Sequence, residues 1–401
     1  FQPAADFSGT INDVISFKAW DRITAGWEQL GLDIDGEAVT DNSGTCVSLS
    51  ANGQTVAIGA RYNDGNGVDS GHVRIYSWTN SAWSQLGADI DGEASGDWSG
   101  HSVSLSADGQ TVAIGARYND GNGSKAGHVR IYSWTGSAWS QLGADIDGEA
   151  NDDWSGHSVS LSADGQTIAI AAPQNDGNGP DSGHVRIYSW TGSTWSKLGE
   201  DIDGEASGDQ SGHYVSLSAD GQAVAIGAIY NDGNSIESSG EVRIYSWTGS
   251  AWSQLGAAIG GEASGDLSGW SVSLSANGQT AAIGAVYNDG NGSKSGHVRI
   301  YSWTGSVWTK LGADIDGEAS DDRSGDSVSL SADGQMVAIG AVYNDGNGHQ
   351  SGHVRIYSWT GSAWSQLGAD IDGEASGDLS GDFVSLSADG QAVAIGAIYN
   401  D

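Results

Sequence analysis

Apolar and polar residues alternate along this chain in short runs, and the runs return at regular distances. Around Val103 the segment HSVSLS sets Val103 and Leu105 against serines, the period-two signature of a strand. Asp108-Gly109 follows. Between two such runs this pair signals a tight hairpin, because a type I′ turn needs positive φ at both central positions. QTVAIGA then places Val112 and Ile114 on one face and the small Ala113 and Gly115 on the other, so this strand is predicted to be buried on both faces. The loop RYNDGNGSKAG is too rich in Gly, Asn and Asp to be a strand. HVRIYSW, β-branched and aromatic throughout, is a third strand. After the turn Thr135-Gly136-Ser137, WSQLGADI is predicted as a fourth, and DGEASGD leads into the next copy. No stretch sustains a 3.6-residue period, so helices are expected to be nearly absent.

The unit recurs. Phrases close to VSLSADGQTVAIGA begin at Val47, Val103, Val159, Val215, Val272, Val328 and Val384, spaced by 56 residues except for one step of 57. Repetition on this scale marks solenoids and propellers. Four antiparallel strands repeated seven times predict an all-β, seven-bladed β-propeller spanning residues 1–401 as one domain. The last copy stops after its second strand, while VISFKAW from Val14 and GWEQLGLDI from Gly26 supply two strands at the other end. Residues 14–40 are therefore expected to complete the last blade by a 2+2 closure that leaves no open edge, with residues 1–13 at the closure point. Two tryptophans per copy read as scaffold, one ending the third strand (Trp20, Trp78, Trp134 and equivalents) and one opening the fourth (Trp27, Trp83, Trp139 and equivalents).

Charge narrows the partners. Fifteen basic against 51 acidic side chains leave a net charge of −36, which argues against nucleic acid and anionic membrane surfaces. No apolar run approaches the ~18 residues of a membrane span, so membrane insertion is not expected. The single Cys46 excludes an internal disulfide framework. A first residue Phe1 without Met suggests a mature form whose leader was removed, or a fragment.

The phrase SGxSVSLSxDGQxVAIGAxxNDGNGxxSGHVRIY resembles the FG-GAP repeat of integrin α-type propellers, and Ala172-Pro173 comes nearest to that family's Gly-Ala-Pro. The resemblance covers essentially the whole chain and implies a seven-bladed, extracellular or cell-surface, usually non-enzymatic recognition domain. Many members carry a calcium loop between the first two strands of a blade. Here that place holds only Ala-Asp-Gly or Ala-Asn-Gly, so calcium at the family position is not expected.

The copies differ mainly in the long loops, which an up-and-down blade gathers on one face, where binding residues concentrate. After the invariant loop aspartates stand Asn42, Trp98, Trp154, Gln210, Leu267, Arg323 and Leu379. After the next Ser-Gly stand Thr45, His101, His157, His213, Trp270, Asp326 and Asp382. Arg61 and Arg117 open the other loop in two adjacent copies. Trp98, His101, Arg61, Arg117, Trp154, His157, Tyr214 and Trp270 are the candidate ligand-binding residues, being of the types that hot spots and sugar- or cation-binding faces use. The competing reading is drift between duplicates, with these side chains packing on one another. Asp89, Asp91, Glu93 and Asp97 offer alternating oxygen ligands of the kind calcium takes, against the reading of a solvated acidic rim. The invariant Asp64 and Asp120 read as braces of the Asn-Asp-Gly turns. The periodic His72, His128, His184, His297 and His353 read as strand-edge residues and not as metal ligands. Asn122 and Asn291 lie in Asn-Gly-Ser sequons and are candidate glycosylation sites.

These readings favour a non-enzymatic extracellular propeller that binds a protein or glycan through its long-loop face, without a cofactor. A structural subunit that self-associates into a filament, sheath or matrix is one alternative, and a lectin is another. Nothing resembles a P-loop, HExxH, GxSxG or CxxC pairing, and repetition itself is taken as an argument against catalysis.

Overall fold

The computed structural model describes residues 16–23 and 26–400; the expected segment 1–13, together with Val14 and Ile15 of the closing strand, lies outside the described residues. The strands form antiparallel sheets arranged in a ring. Six sheets are blades cut from contiguous chain. The remaining one is composite, joining Ser16–Ile23, Gly26–Gln29 and Ile34–Asp35 to Ser380–Leu386 and Ala392–Ala397.

Seven uniform four-stranded blades were expected, and this is corrected to six contiguous blades of five strands each plus the composite sheet. WSQLGADI is not one strand. In the blade around Val103, Trp139–Gln141 pairs with Tyr132 to Trp134 and Ile146–Asp147 pairs with His128 and Val129. Four residues on one side thus face two on the other, a bulge centred on Gly143 at φ 85°. By the same break the closing sheet is built from three N-terminal and two C-terminal strands, in place of the expected 2+2. The register of its first strand also differs. Trp20 faces Gln29, the position that Tyr76 holds against Gln85, and Arg22 faces Trp27 where Trp78 faces Trp83. Trp20 is therefore not the counterpart of Trp78.

The second strand of each blade is buried on both faces, as its sequence requires: Val112, Ala113, Ile114 and Ala116 are all fully enclosed. The innermost strand has a sheet partner on one side only, and its other polar groups bond to the next blade. The Leu105 N–H donates to Ser48 Oγ at 2.9 Å and the Leu161 N–H to Ser104 Oγ at 2.9 Å, and the same bond recurs around the ring to Leu49 N–H on Ser385 Oγ at 3.0 Å. At the hairpin end the alanine N–H groups run in a closed chain, Ala51 to the Ala107 carbonyl, then Ala163, Ala219, Ala276, Ala332 and Ala388, and from Ala388 back to Ala51.

The outer seams use tryptophan. Trp139 Nε1 donates to the Leu86 carbonyl of the preceding blade at 2.7 Å, and Trp27 of the composite sheet likewise to the Leu367 carbonyl of the blade before it at 3.1 Å. Trp190 and Trp195 pack together with ring centroids 5.4 Å apart, and the seat for them is Gly143: a Cβ there would lie 2.9 Å from Trp190 Cζ3. These tryptophans are half-buried, so each removes less surface from water than a core Trp. Gly143→Ala carries both the left-handed backbone cost and this collision, about 2–5 kcal/mol together. Gly136→Ala, at φ 91° with open space around its Cβ position, carries only the backbone part, about 1–2 kcal/mol. Chemical denaturation of the two variants is expected to show Gly143→Ala clearly less stable; equal losses would remove the tryptophan seat from the account.

Candidate functional site

The loop that enters each innermost strand ends in a four-residue turn. Its first residue is left-handed in every copy, with φ of 57° at Trp98, 58° at Trp154, 55° at Leu267 and 54° at Arg323. The fourth residue donates its N–H back to the first, as His101 does to the Trp98 carbonyl at 3.1 Å and His157 to Trp154 at 3.0 Å. The turn sends the two variable side chains to different places: the first lies on the rim and the fourth lines the propeller axis.

The axial positions enclose a cup of about 240 Å³ that opens on the long-loop face. His101, His157 and His213 form one arc, with ring centroids 5.1 and 5.2 Å apart, and Trp270 continues it 4.8 Å from His213. Asp326, Asp382 and Thr45 complete the lining at this level. One residue further along the strands, Tyr214 and Phe383 stack with centroids 6.0 Å apart and make the floor, with Cys46 beside them. Burial pushes the Cys46 thiol up to about 12, so it is no nucleophile at neutral pH.

Outside the cup the rim carries a stack. The Arg117 guanidinium lies 4.8 Å from the Trp98 ring centre, 4.7 Å from Tyr118 and 5.2 Å from Trp154. Its Nη1 reaches His157 Nδ1 at 3.1 Å. Arginine is a donor only, so His157 accepts at Nδ1 and carries its proton on Nε2. Arg61 covers Tyr62 and Trp98 at 4.9 and 5.7 Å and also lines the cup. The other side of this rim is mostly apolar, with Ile229, Leu267 and Val286 in one cluster and Val342, Leu379 and Ile398 in another, and Arg323 between them over Tyr287 and Tyr343 at 5.1 and 4.3 Å.

The electrostatics follow from burial. Desolvation, helped by Arg117 and the neighbouring imidazoles, holds His101 well below the usual histidine range; burial, His213 and then Arg117 do the same to His157. Burial brings His213 down to about 4. All three are neutral at pH 7. Burial and the charge of Asp382 lift Asp326 well above the carboxylate range, and burial lifts Asp382 to about 6 against the pull of Arg61. The pair gives up its protons in coupled steps.

All eight candidate binding residues fall in this region. Arg61, His101, His157, Tyr214 and Trp270 line the cup, and Trp98, Arg117 and Trp154 form the stack beside it. His213, Asp326, Asp382 and Phe383 share the cup without having been singled out. The signal was available: in the column Cys46, Ser102, Ser158, Tyr214, Ser271, Ser327, Phe383 only three residues depart from serine. The carboxylates Asp89, Asp91, Glu93 and Asp97 do not converge. Asp97 is buried and accepts from the Ala94 N–H and Asn119 Nδ2, while Asp89 and Glu93 face different seams. Asp64 and Asp120 brace their loops through the Asp69 and Lys125 N–H groups, as expected. Asn122 and Asn291 are exposed, and their amides donate to the carbonyls of Gly148 and Gly317. A glycan on either would release that bond.

The family model described as FG-GAP repeat matches residues 88–132 and 259–301, in each case from the short fifth strand of one blade through the third strand of the next. The chain carries FG-GAP repeats. Among curated proteins none is significantly similar to it. Solved structures share the fold of this FG-GAP propeller at low identity. Hydrazine synthase of Kuenenia stuttgartiensis is 14% identical with a TM-score of 0.59, covering 91% of this chain and 96% of that one. A protein of Bacteroides uniformis named as a candidate 6-phosphogluconolactonase is 11% identical with a TM-score of 0.59, covering 89% and 96%. Periplasmic gluconolactonase of Pseudomonas aeruginosa is 13% identical with a TM-score of 0.56, covering 90% and 97%. At such identities the likeness concerns the fold alone. It nevertheless corrects the exclusion of catalysis: proteins named as enzymes use this fold, so a repeated scaffold is no argument against a reaction. The axial cup is itself an odd constellation inside a regular ring. Among the described residues no helix is long and apolar enough to cross a membrane.

Between about pH 4 and pH 6 the folded chain keeps a proton on Asp382 that the unfolded chain has released, so this group's contribution to stability falls as pH rises through that window. The neutral cup histidines act in the opposite sense. Asp382→Asn is expected to raise the melting temperature at pH 8 relative to wild type and to leave it little changed near pH 4. Melting curves of the two proteins that run parallel across this range would refute the shifted carboxylate.

Proposed function

We propose that this FG-GAP propeller recognises a glycan, taking one sugar ring into the axial cup on its long-loop face. The observation that carries the reading is the composition of the axial column, where Thr45, three histidines, Trp270 and two aspartates occupy equivalent positions of an otherwise repetitive chain. The cup is of a size for one ring, about 240 Å³. Trp270 and the Tyr214–Phe383 floor offer apolar faces for C–H groups. Neutral imidazoles, which both donate and accept, with Arg61 and the aspartates offer planar partners for hydroxyls. An extracellular or periplasmic setting, where free glycans are met, belongs to the proposal and is supported by the FG-GAP repeats.

A glycan array followed by calorimetry is the test. Wild type is expected to bind a defined set of terminal sugars, and His101→Ala/His213→Ala to lose at least tenfold in affinity while keeping the wild-type circular dichroism. Absence of binding to any glycan, or equal binding by the variant, would end this reading.

The Asp326–Asp382 pair favours a second reading, in which the bound sugar is a lactone that the cup hydrolyses. Ionised Asp382 takes a proton from water as its oxygen adds to the lactone carbonyl. Protonated Asp326 gives a proton to the ring oxygen as the C–O bond breaks, leaving the open hydroxy acid. The expected result is turnover of a sugar δ-lactone above its spontaneous rate, reduced by about 10²–10⁴ in Asp326→Asn. Hydrolysis at the spontaneous rate by wild type leaves recognition as the sole activity.

A further inference from the structure

A polar cluster recurs at the seams between blades, far from the cup. Glu37 of the composite sheet meets His72 and Asp89 of the next blade, and Glu93 meets His128 and Asp145. Glu149/His184/Asp201, Glu262/His297/Asp314 and Glu318/His353/Asp370 repeat the arrangement, each offering three ligand atoms within 4.8 Å of one another. The histidines are only 1–2% exposed. Their Nε2 atoms have no hydrogen-bond partner. Nδ1 stops 3.9 Å from Glu37 Oε2 in the first copy, 3.8 Å from Glu93 in the second and 3.9 Å from Glu318 in the last, too far for a hydrogen bond. An imidazole whose Nδ1 is turned toward two carboxylates and hydrogen-bonded to neither leaves room for a partner between them. Neutral imidazole with carboxylate oxygens is a ligand set for a zinc-class divalent cation. Zinc holds such ligands about 3.4 Å apart in a tetrahedron at about 2.0–2.2 Å each, so the glutamate and histidine need to close by about half an ångström.

The repeat supplies a control inside the chain. In the one contiguous blade where Glu241 replaces the histidine, Ala258 replaces the aspartate of the cluster. There the imidazole and the aspartate are absent together while Glu205 is kept; in the composite sheet Ser16 holds the histidine's place and Asp33 remains. Arginine at the seam does not fill the gap, because Arg130 and Arg355 face Oε1 of Glu93 and Glu318 and leave Oε2 to the histidine side.

The five clusters are not equivalent. In three, the aspartate accepts from a neutral amide: Gln85 on Asp89, Gln141 on Asp145 and Gln366 on Asp370. In the other two a lysine ammonium sits on it, Lys197 on Asp201 at 2.7 Å and Lys310 on Asp314 at 2.8 Å. That cation cancels the aspartate and repels another one.

We propose that the seams of this propeller bind divalent metal ions of the zinc class at the three glutamine-flanked Glu–His–Asp clusters, and that lysine closes the other two. The sites join neighbouring blades, so the metal acts as a cross-blade staple. The test is a zinc titration of the metal-free chain read by native mass spectrometry, with calorimetry for affinity. Three zinc ions per chain are expected. His72→Gln, His128→Gln and His353→Gln are each expected to remove one, and the surface change Lys310→Gln to raise the count to four. No binding in excess zinc overturns the proposal. A count that the three histidine variants leave unchanged overturns it too, by placing the zinc elsewhere, such as at the cup histidines. A count that Lys310→Gln does not raise overturns the role given to lysine.

Discussion

The structure depends on closing a ring of innermost strands, each of which has a sheet neighbour on one side only. An unpaired strand edge is costly wherever it is removed from water. Here the cost is offset by bonds between blades: serine hydroxyls accept the N–H of Leu49, Leu105, Leu161 and their equivalents, and alanine N–H groups run around the hairpin face from Ala51 back to Ala51. A closed cycle of this kind tolerates no change of pitch along the inner strands. The copy that is one residue longer shows the consequence. Its extra residue is taken up in the outer loop, where Gly233–Ser235 forms a 3-10 turn, and the Ser216 to Leu274 bond of that blade is kept at 3.0 Å.

The repetitive part of this arrangement was legible in the sequence because each constraint writes a residue type at a fixed interval. Alternation in VSLS and the two-faced AIGA strand each correspond to one element of the blade, and Asp-Gly marks the hairpin between them, although Gly109 alone, and not Asp108, takes the positive φ that a type I′ turn needs at both positions. The break in the fourth strand was not legible as such. Its residues keep strand-like chemistry on both sides of Gly143, and the bulge follows from a positive φ that a glycine permits without announcing. The composite sheet misled for a related reason. Its sequence shares little with the other copies, and aligning Trp20 with Trp78 by residue type placed it two positions from where the ladder pairs it.

The candidate site was legible only through comparison of copies. The turn that precedes each inner strand needs a left-handed residue and a Ser-Gly pair, but it constrains neither variable side chain. That freedom lets Trp98, Arg117 and Trp154 build a stack on one arc while Leu267, Ile229 and Val286 pack on another. His213, Asp326 and Asp382 stood in the same columns as the chosen residues. Their membership in one cup is a matter of ring geometry, since strands some 56 residues apart meet on the axis.

Charge separates scaffold from site by the same logic. Arg74, Arg130, Arg186, Arg243, Arg299 and Arg355 repeat, and each donates to a carbonyl of the preceding blade, as Arg130 does to Asp91 at 2.6 Å. Those guanidiniums are committed to the seams. Arg61, Arg117 and Arg323 do not repeat, and all three lie on the long-loop rim against aromatic faces. In a chain of net charge −36, spare cations are scarce. Three of them stand on the long-loop rim, and Arg61 also lines the cup, so basic side chains free of the seams are concentrated around the one place where the copies differ most.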